Sequence, residues 1–273
     1  MIQPNNNYST LKISVITVSY NCGSTIAKTM QSVLSQTHTN FEYIIIDGCS
    51  TDKTHETIHG IIDTRIRLVI EEDDGIYDAM NKGFGLATGD IIYFLNCGDY
   101  LANERILEDV CSCFLANPDV DIIYGDVIRY GDQKEEYLNM KRKTPLHLMT
   151  RCICHQGIFA KRTAFHNVRP FQTEYPIYAD FEWILSEISL HKIKLKYLNQ
   201  VVAYYLSGGL SDQDRAKNYI ERLRCTRKYF GHAMKRSYVI QYPFECILFL
   251  VKYCGMLVLY RWYQFITKMR LRH

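Results

Sequence analysis

No G-x-G-x-x-G follows the first apolar run of this chain, and no G-x-x-x-x-G-K-[ST] occurs anywhere in it. A dinucleotide fingerprint and a phosphate-binding P-loop are therefore both missing, so hydride transfer and ATP hydrolysis recede. C-x-x-C pairs are missing too. The closest cysteines, Cys111 with Cys113 and Cys152 with Cys154, leave one residue between them, and His155 is the nearest imidazole, which argues against a zinc site. The first twelve residues, MIQPNNNYSTLK, have neither a basic n-region nor an apolar h-region. The ten cysteines are accordingly expected as reduced thiols of a cytoplasmic protein. Low-complexity tracts are absent, and Glu245, Lys252 and Arg261 cut the C-terminal apolar stretch into pieces shorter than the about 20 residues that a spanning helix needs.

What is present suits a folded α/β protein. The chain has 273 residues, 47% of them apolar and 22% charged, enough to build a core without a metal or a disulfide. Its net charge of +3 hides an asymmetry, because residues 215–273 hold thirteen Lys and Arg against Glu221 and Glu245 only. The remaining body, with 19 basic and 27 acidic residues, is acidic. An acidic body argues against a nucleic-acid groove, and a basic tail suits an anionic membrane surface.

Residues 12–19 (KISVITVS) and 41–47 (FEYIIID) are β-branched runs that read as strands. Between them Ile26, Met30, Val33 and Leu34 recur at helical spacing behind an expected N-cap at Ser24. The alternation continues with strands at 66–70, 91–95 and 121–124, a helix over 76–87, and a helix marked by Ile106, Leu107, Val110 and Phe114 and capped by Asn103. Strands alternating with helices imply βαβ units, a mainly parallel sheet, and a ligand crevice at the carboxyl ends of the strands. Those ends are polar. They read Ser19-Tyr20-Asn21, Asp47-Gly48-Cys49-Ser50, Glu71-Glu72-Asp73-Asp74 and Asn96-Cys97-Gly98-Asp99. Gly98 frees the backbone to bend so that the Asp99 carboxylate projects into the crevice, as a hard divalent cation requires.

Five runs, VITVSYN, SVLSQT, FEYIIIDGCSTDKT, DDGIYDAMNKGFGLATGD and IIYFLNCGD, occur in that order. Together they resemble the family-two glycosyltransferases of GT-A fold, in the branch with the GIYDAMNKG motif that builds bacterial exopolysaccharide, capsule or O-antigen units. The resemblance covers residues 11–210. It implies a mainly parallel central sheet flanked by helices over residues 1–210, followed by a helical extension at 211–273. Tyr20 would lie against the nucleotide base and Asp47 would hydrogen-bond base or ribose. The other implied donor contacts are Ser19, Asp73, Asn81, Lys82 and Asn96. Asp99 would bind Mn²⁺ or Mg²⁺ on the diphosphate of a nucleoside-diphosphate sugar, with UDP favoured. The sequence departs from the usual pattern at three places. Asn96 and Gly98 leave only the last acid of the usual D-x-D-D, Met80 stands where an arginine is usual, and Gly48 replaces a second Asp after the second strand.

Further along, Asp180 opens a helix in Tyr178-Ala179-Asp180-Phe181-Glu182-Trp183, and the resemblance places the catalytic base there. Glu182 is the nearest competitor, although two residues further round the helix it faces elsewhere. His155 and Gln156 would meet a phosphate or an acceptor hydroxyl; a hydrogen-bonded structural histidine is the other reading of His155. Tyr205 to Ser211 resembles a segment that closes over the donor. The expected reaction is inverting transfer of the sugar to a hydroxyl of a lipid-linked glycan at the inner face of the cytoplasmic membrane. A catalytically weak nucleotide-sugar-binding subunit is the alternative, motivated by Asn96 and Met80. In the tail, Tyr242, Phe244, Phe249, Tyr253, Tyr260, Trp262, Tyr263 and Phe265 beside basic residues suit an interfacial helix. Packing on the body, or homo-oligomerisation through the C-terminal helices, is the competing use of that segment.

Overall fold

A computed structural model describes residues 11–131, 134–141, 152–210 and 215–233, with isolated positions at 254, 255 and 258. The first half alternates as expected: β1 (Ile13–Ser19), α1 (Ile26–Leu34), β2 (Phe41–Asp47), α2 (Thr54–His59), β3 (Ile66–Ile70), α3 (Ile76–Leu86) and β4 (Ile91–Phe94). The second half holds β5 (Tyr100–Leu101), α4 (Ile106–Ala116), β6 (Ile122–Tyr130), β7 (Glu136–Leu138), β8 (Ile158–Lys161), α5 (Ala179–Ser186), a π-helical turn (Glu187–His191), β9 (Leu195–Leu206) and α6 (Arg215–Ala233).

The strands form one sheet in the order β3-β2-β1-β4-β8-β6-β9-β5, with β7 on β6. β3, β2, β1 and β4 pair in parallel, and every residue of β1 is buried, as a strand covered on both faces must be. β8 then runs antiparallel to both β4 and β6, while β6 and β9 pair in parallel. In register, Ser19 lies opposite Asp47 and Asp47 opposite Ile70, so the three polar strand ends finish side by side.

Local details differ from expectation at the helix starts. The residue before α1 is Thr25 and the one before α4 is Arg105, and neither caps with its side chain. Asn103, the expected cap, instead accepts the Arg105 N–H through Oδ1 at 2.9 Å, in a turn two residues before the residue that precedes α4. The strand expected at 121–124 continues to Tyr130, because β9 offers a partner along its whole length. Cys22 and Cys97 correct the expectation of ten free thiols: they are joined as a disulfide, with Cα atoms 6.7 Å apart. Their separation of 75 residues hides the pairing, which follows from β1 lying beside β4.

α3 lies close on the sheet, and Gly83 is the point of approach. A Cβ there would collide with Ile16 Cγ2, in a core where Ile16 is fully buried. Gly83→Ala is expected to lower stability by about 1–3 kcal/mol through overpacking, despite alanine's helix preference of up to ~1 kcal/mol. Urea unfolding checks this: an unchanged midpoint would mean that α3 can lift off β1 freely.

The boundary expected at residue 210 falls between β9 and α6. α6 packs back on α5, where Lys228 Nζ and Tyr229 Oη each donate to Glu182 Oε1 at 2.6 Å. Its Glu221 Oε2 accepts the N–H groups of Ile177 and Tyr178 at 2.8 and 3.1 Å. The aromatic residues of the stretch 242–265 lie outside the described residues.

Candidate active site

At the carboxyl edge of the parallel strands lie two adjoining cavities. The first, of about 280 Å³, is lined by Ser19, Tyr20, Asp73, Ile76, Ala79 and Asn96 among others. Tyr20 is 66% exposed there, a free aromatic face at the rim. The second, of about 420 Å³, gathers Asn96, Asp99, His155, Gln156 and Asp180 beside Tyr77, Tyr178 and the Tyr205–Leu210 segment. Ile76, Asn96 and Cys97 line both, so the cavities meet at the end of β4.

Asp47 supports the first cavity from below and does not line it. It is 0% exposed and accepts four hydrogen bonds: from Ser19 Oγ, Ser50 Oγ and the Ser50 N–H, and from His55 Nε2, all at 2.7 Å. Burial alone would raise its pKa, but these donors hold it below the usual carboxylate value. Such a carboxylate fixes the loop after β2. Asp73 takes the open position instead. A side chain at Gly48 would meet Asp73 Oδ2 at 2.5 Å, so Asp73 fills the space that a second acid after β2 would occupy.

Asn81 and Lys82 line neither cavity. Asn81, one helical turn after Tyr77, exchanges two hydrogen bonds with the Phe171 backbone, at 2.8 and 3.0 Å. Lys82 donates to the Glu72 carbonyl at 2.5 Å and pairs with Asp78 at 3.3 Å. Both hold α3 against neighbouring loops, because a helix lying flat on a sheet aims only one narrow face at the crevice.

Asp99 reaches the crevice as its glycine predicts, with Gly98 at φ +94°. The carboxylate is 4% exposed and is engaged by the chain itself, accepting from Gln156 Nε2 at 2.9 Å and the Leu206 N–H at 3.0 Å. Burial pushes its pKa up to about 6, against the opposing pull of Gln156, the His155 charge and Leu206. Asn96 Oδ1, on the shared wall, is buried without a hydrogen-bond partner. One carboxylate and one unsatisfied amide oxygen at the same strand end are hard donors of the kind Mg²⁺ or Mn²⁺ takes, alongside phosphate oxygens. The residues therefore fit a divalent cation.

Asp180 sits in the first turn of α5, where the helix dipole favours a negative charge. Its Oδ1 accepts the Phe181 N–H at 2.8 Å and lies 2.9 Å from the Tyr77 hydroxyl; its Oδ2 lies 3.0 Å from His155 Nδ1. His155 Nε2 in turn faces Asn96 Nδ2 at 3.0 Å. Burial would lower the His155 pKa, but the hydrogen bond and charge of Asp180, with the Asp99 charge, raise it above the usual value. A half-buried chain thus runs Tyr77, Asp180, His155, Asn96. Such an arrangement can hold a carboxylate aimed at a proton it is to accept. Glu182 is elsewhere, 3% exposed and held by Lys228 and Tyr229. Tyr77 was not foreseen, although its place in GIYDAMNKG, one residue into α3, was a signal available in the sequence.

The family model Glycosyl transferase family 2 matches residues 14–187. A PGL/p-HBAD biosynthesis glycosyltransferase of Mycobacterium tuberculosis is 33% identical over 221 residues, covering 77% of this chain and 83% of that one. The UDP-Glc:alpha-D-GlcNAc-diphosphoundecaprenol beta-1,3-glucosyltransferase WfaP of Escherichia coli is 39% identical over 100 residues, 36% of this chain and 39% of that one. Among solved structures, Staphylococcus aureus TarS 1–349 in complex with UDP-GlcNAc superposes with a TM-score of 0.70 at 15% identity, covering 90% of this chain and 72% of that one. The mannosyltransferase PcManGT of Pyrobaculum calidifontis, in complex with GDP-Man and Mn²⁺, gives a TM-score of 0.57 at 18% identity, covering 81% and 64%.

Proposed function

The chain belongs to glycosyl transferase family 2, and from that premise we propose that it transfers a sugar with inversion from a nucleoside-diphosphate sugar, UDP favoured, to a hydroxyl of a lipid-linked glycan. The product belongs to a bacterial surface polysaccharide. The observation that carries this reading is the junction of the two cavities at Asn96. One holds an exposed aromatic face and Asp73; the other holds a carboxylate gripped by Tyr77 and His155. Tyr20 stacks on the base, and Asp73 with Ser19 accepts or donates hydrogen bonds at base and ribose. Asp99 and Asn96 would hold the divalent cation, which would neutralise charge on the diphosphate. Asp180 takes the proton of the acceptor hydroxyl, which attacks the anomeric carbon from the face opposite the departing diphosphate. His155 and Tyr77 keep the carboxylate aimed, and Gln156 holds Asp99.

A release assay across a panel of sugar nucleotides, with Mn²⁺ and a lipid extract as acceptor, tests the reading. Nucleoside diphosphate should appear with one donor and only when acceptor is present. Donor binding without release under every condition would leave a nucleotide-sugar-binding subunit in its place.

We place the enzyme peripherally on the membrane. Among the described residues no helix is long and apolar enough to cross a bilayer. Thirteen basic residues after position 214, each contributing about 1 kcal/mol near anionic lipid, and the aromatic stretch 242–265 support surface attachment. The full chain should sediment with anionic liposomes at low salt and be released only partly by high salt, since screening leaves apolar contacts intact. No sedimentation at low salt would assign the tail to protein packing or to a homo-oligomer.

A further inference from the structure

Beyond the C-terminal end of α5, about two turns along from Asp180, three side chains with metal-ligating atoms converge. The π-helical turn Glu187–His191 continues α5 and carries two of them, and His166, in the loop after β8, supplies the third. His166 Nδ1 lies 2.6 Å from Glu187 Oε2, and the His166 and His191 rings are face to face with centroids 3.6 Å apart. One ligand atom from each of the three residues lies within 4.8 Å of the others. Glu187 is 1% exposed while both imidazoles reach solvent, so the group is anchored on the protein side and open on the other.

An ordinary ion pair accounts for only part of this. It explains His166 against Glu187 but leaves a second imidazole stacked on the first with its centroid 3.6 Å away, with no task in the pair. Two imidazoles and a carboxylate form a three-ligand set that zinc accepts with a fourth position left for water. Imidazoles also favour zinc and its neighbours over magnesium or calcium. π-helical turns recur at functional sites, since the extra residue re-aims the side chains that follow. We propose that His166, Glu187 and His191 form a site for zinc or a similar divalent transition metal, separate from the cation at Asp99. Ligation turns the exposed rings out of their stack so that each aims a nitrogen at the ion.

The location gives the site a structural task. The segment after His166 carries Arg169, paired with Asp78, and Phe171, bonded to Asn81; it ends at Ile177 and Tyr178, which line the Asp180 cavity. A metal at this point would clamp that segment to the far end of the helix that holds Asp180. The proposal rests on the three ligands and is independent of the sugar-transfer reading.

Zn²⁺ is the probe. Full-length protein stripped with EDTA and free of donor should bind one Zn²⁺ per chain in calorimetry, and its thermal midpoint should rise because the ion binds only the folded state. Co²⁺ in its place should give the visible absorption of a tetrahedral site without a thiolate band. His166→Ala/His191→Ala, changed at exposed rings, should bind Zn²⁺ at least ~10-fold more weakly and lose the midpoint rise, with unchanged metal-free circular dichroism. Glu187→Gln should behave likewise. Equal Zn²⁺ affinity and midpoint rise in the double variant, a thiolate band with Co²⁺, or no binding by the parent chain would each overturn the proposal.

Discussion

Asp180→Asn is expected to reduce sugar transfer by at least ~10²-fold, the usual contribution of a general base, while donor affinity stays at the parent value. The amide keeps the shape of the carboxylate, and the neighbours can adapt. Oδ1 can still accept from the Phe181 N–H and the Tyr77 hydroxyl, and a His155 tautomer with a bare Nδ1 can accept from the new NH₂ once the Asn96 amide turns its oxygen to the Nε2–H. What is lost is the capacity to take a proton. Glu182→Gln should do the opposite. Its Oε1 is shared by Lys228 and Tyr229, so neutralising it weakens the seat of α6 by about 1–3 kcal/mol and leaves chemistry intact. Steady-state transfer and urea unfolding of both variants decide between them: retained transfer in Asp180→Asn with loss in Glu182→Gln would move the base to Glu182.

His155→Gln supplies a finer readout. An amide can still reach Asp180 but carries no charge and does not titrate, so kcat should fall without a change in donor affinity. The limb of the pH profile that reports the imidazole should also disappear. A residue that only filled space would leave that profile unmoved.

The parallel half of the fold was legible because its signals are local. The β-branched runs of β1 and β2 and the helical spacing of Ile26, Met30 and Val33 need no partner to be recognised. The polar strand ends then located the crevice by topology alone. The second half was less legible. β9 reads LKYLNQVVAYYL, with polar and apolar residues in no strict alternation, because β6 runs beside its whole length while β5 covers its other edge only at Ala203 and Tyr204. Individual site residues divide along the same line. Asp99 was placed at the crevice by the glycine before it, whereas Asp180 was singled out only through the family resemblance; the structure puts both on the wall of one cavity. Asp47 looked free from its place at a strand end, yet Ser50 and His55 lie only three and eight residues away, and with Ser19 they absorb it. That Asp73 fills the space above Gly48 depends on the spacing between β2 and β3, which no sequence window contains.

Asp99 carries the other large effect. Divalent-cation-dependent binding of the sugar nucleotide should weaken as pH falls through about 6, the pKa to which burial raises this carboxyl. The sign follows from the ligand's chemistry. A cation needs the ionised form, and the folded protein, with a pKa above the usual 3.8, protonates Asp99 earlier than an exposed carboxylate would. Below pH 6 each further unit should therefore cost up to about tenfold in metal-dependent affinity, with little change between pH 7 and 8. Asp99→Asn should remove both the metal dependence and the pH dependence. It leaves the fold largely intact, since its oxygen can still accept from one of Gln156 Nε2 and the Leu206 N–H. Calorimetric titration of donor with and without Mn²⁺, at pH 5.5 and at pH 7.5, reads all of this. If EDTA leaves donor affinity unchanged at the higher pH, Asp99 serves only to hold Gln156 and Leu206, and the diphosphate is neutralised by other groups.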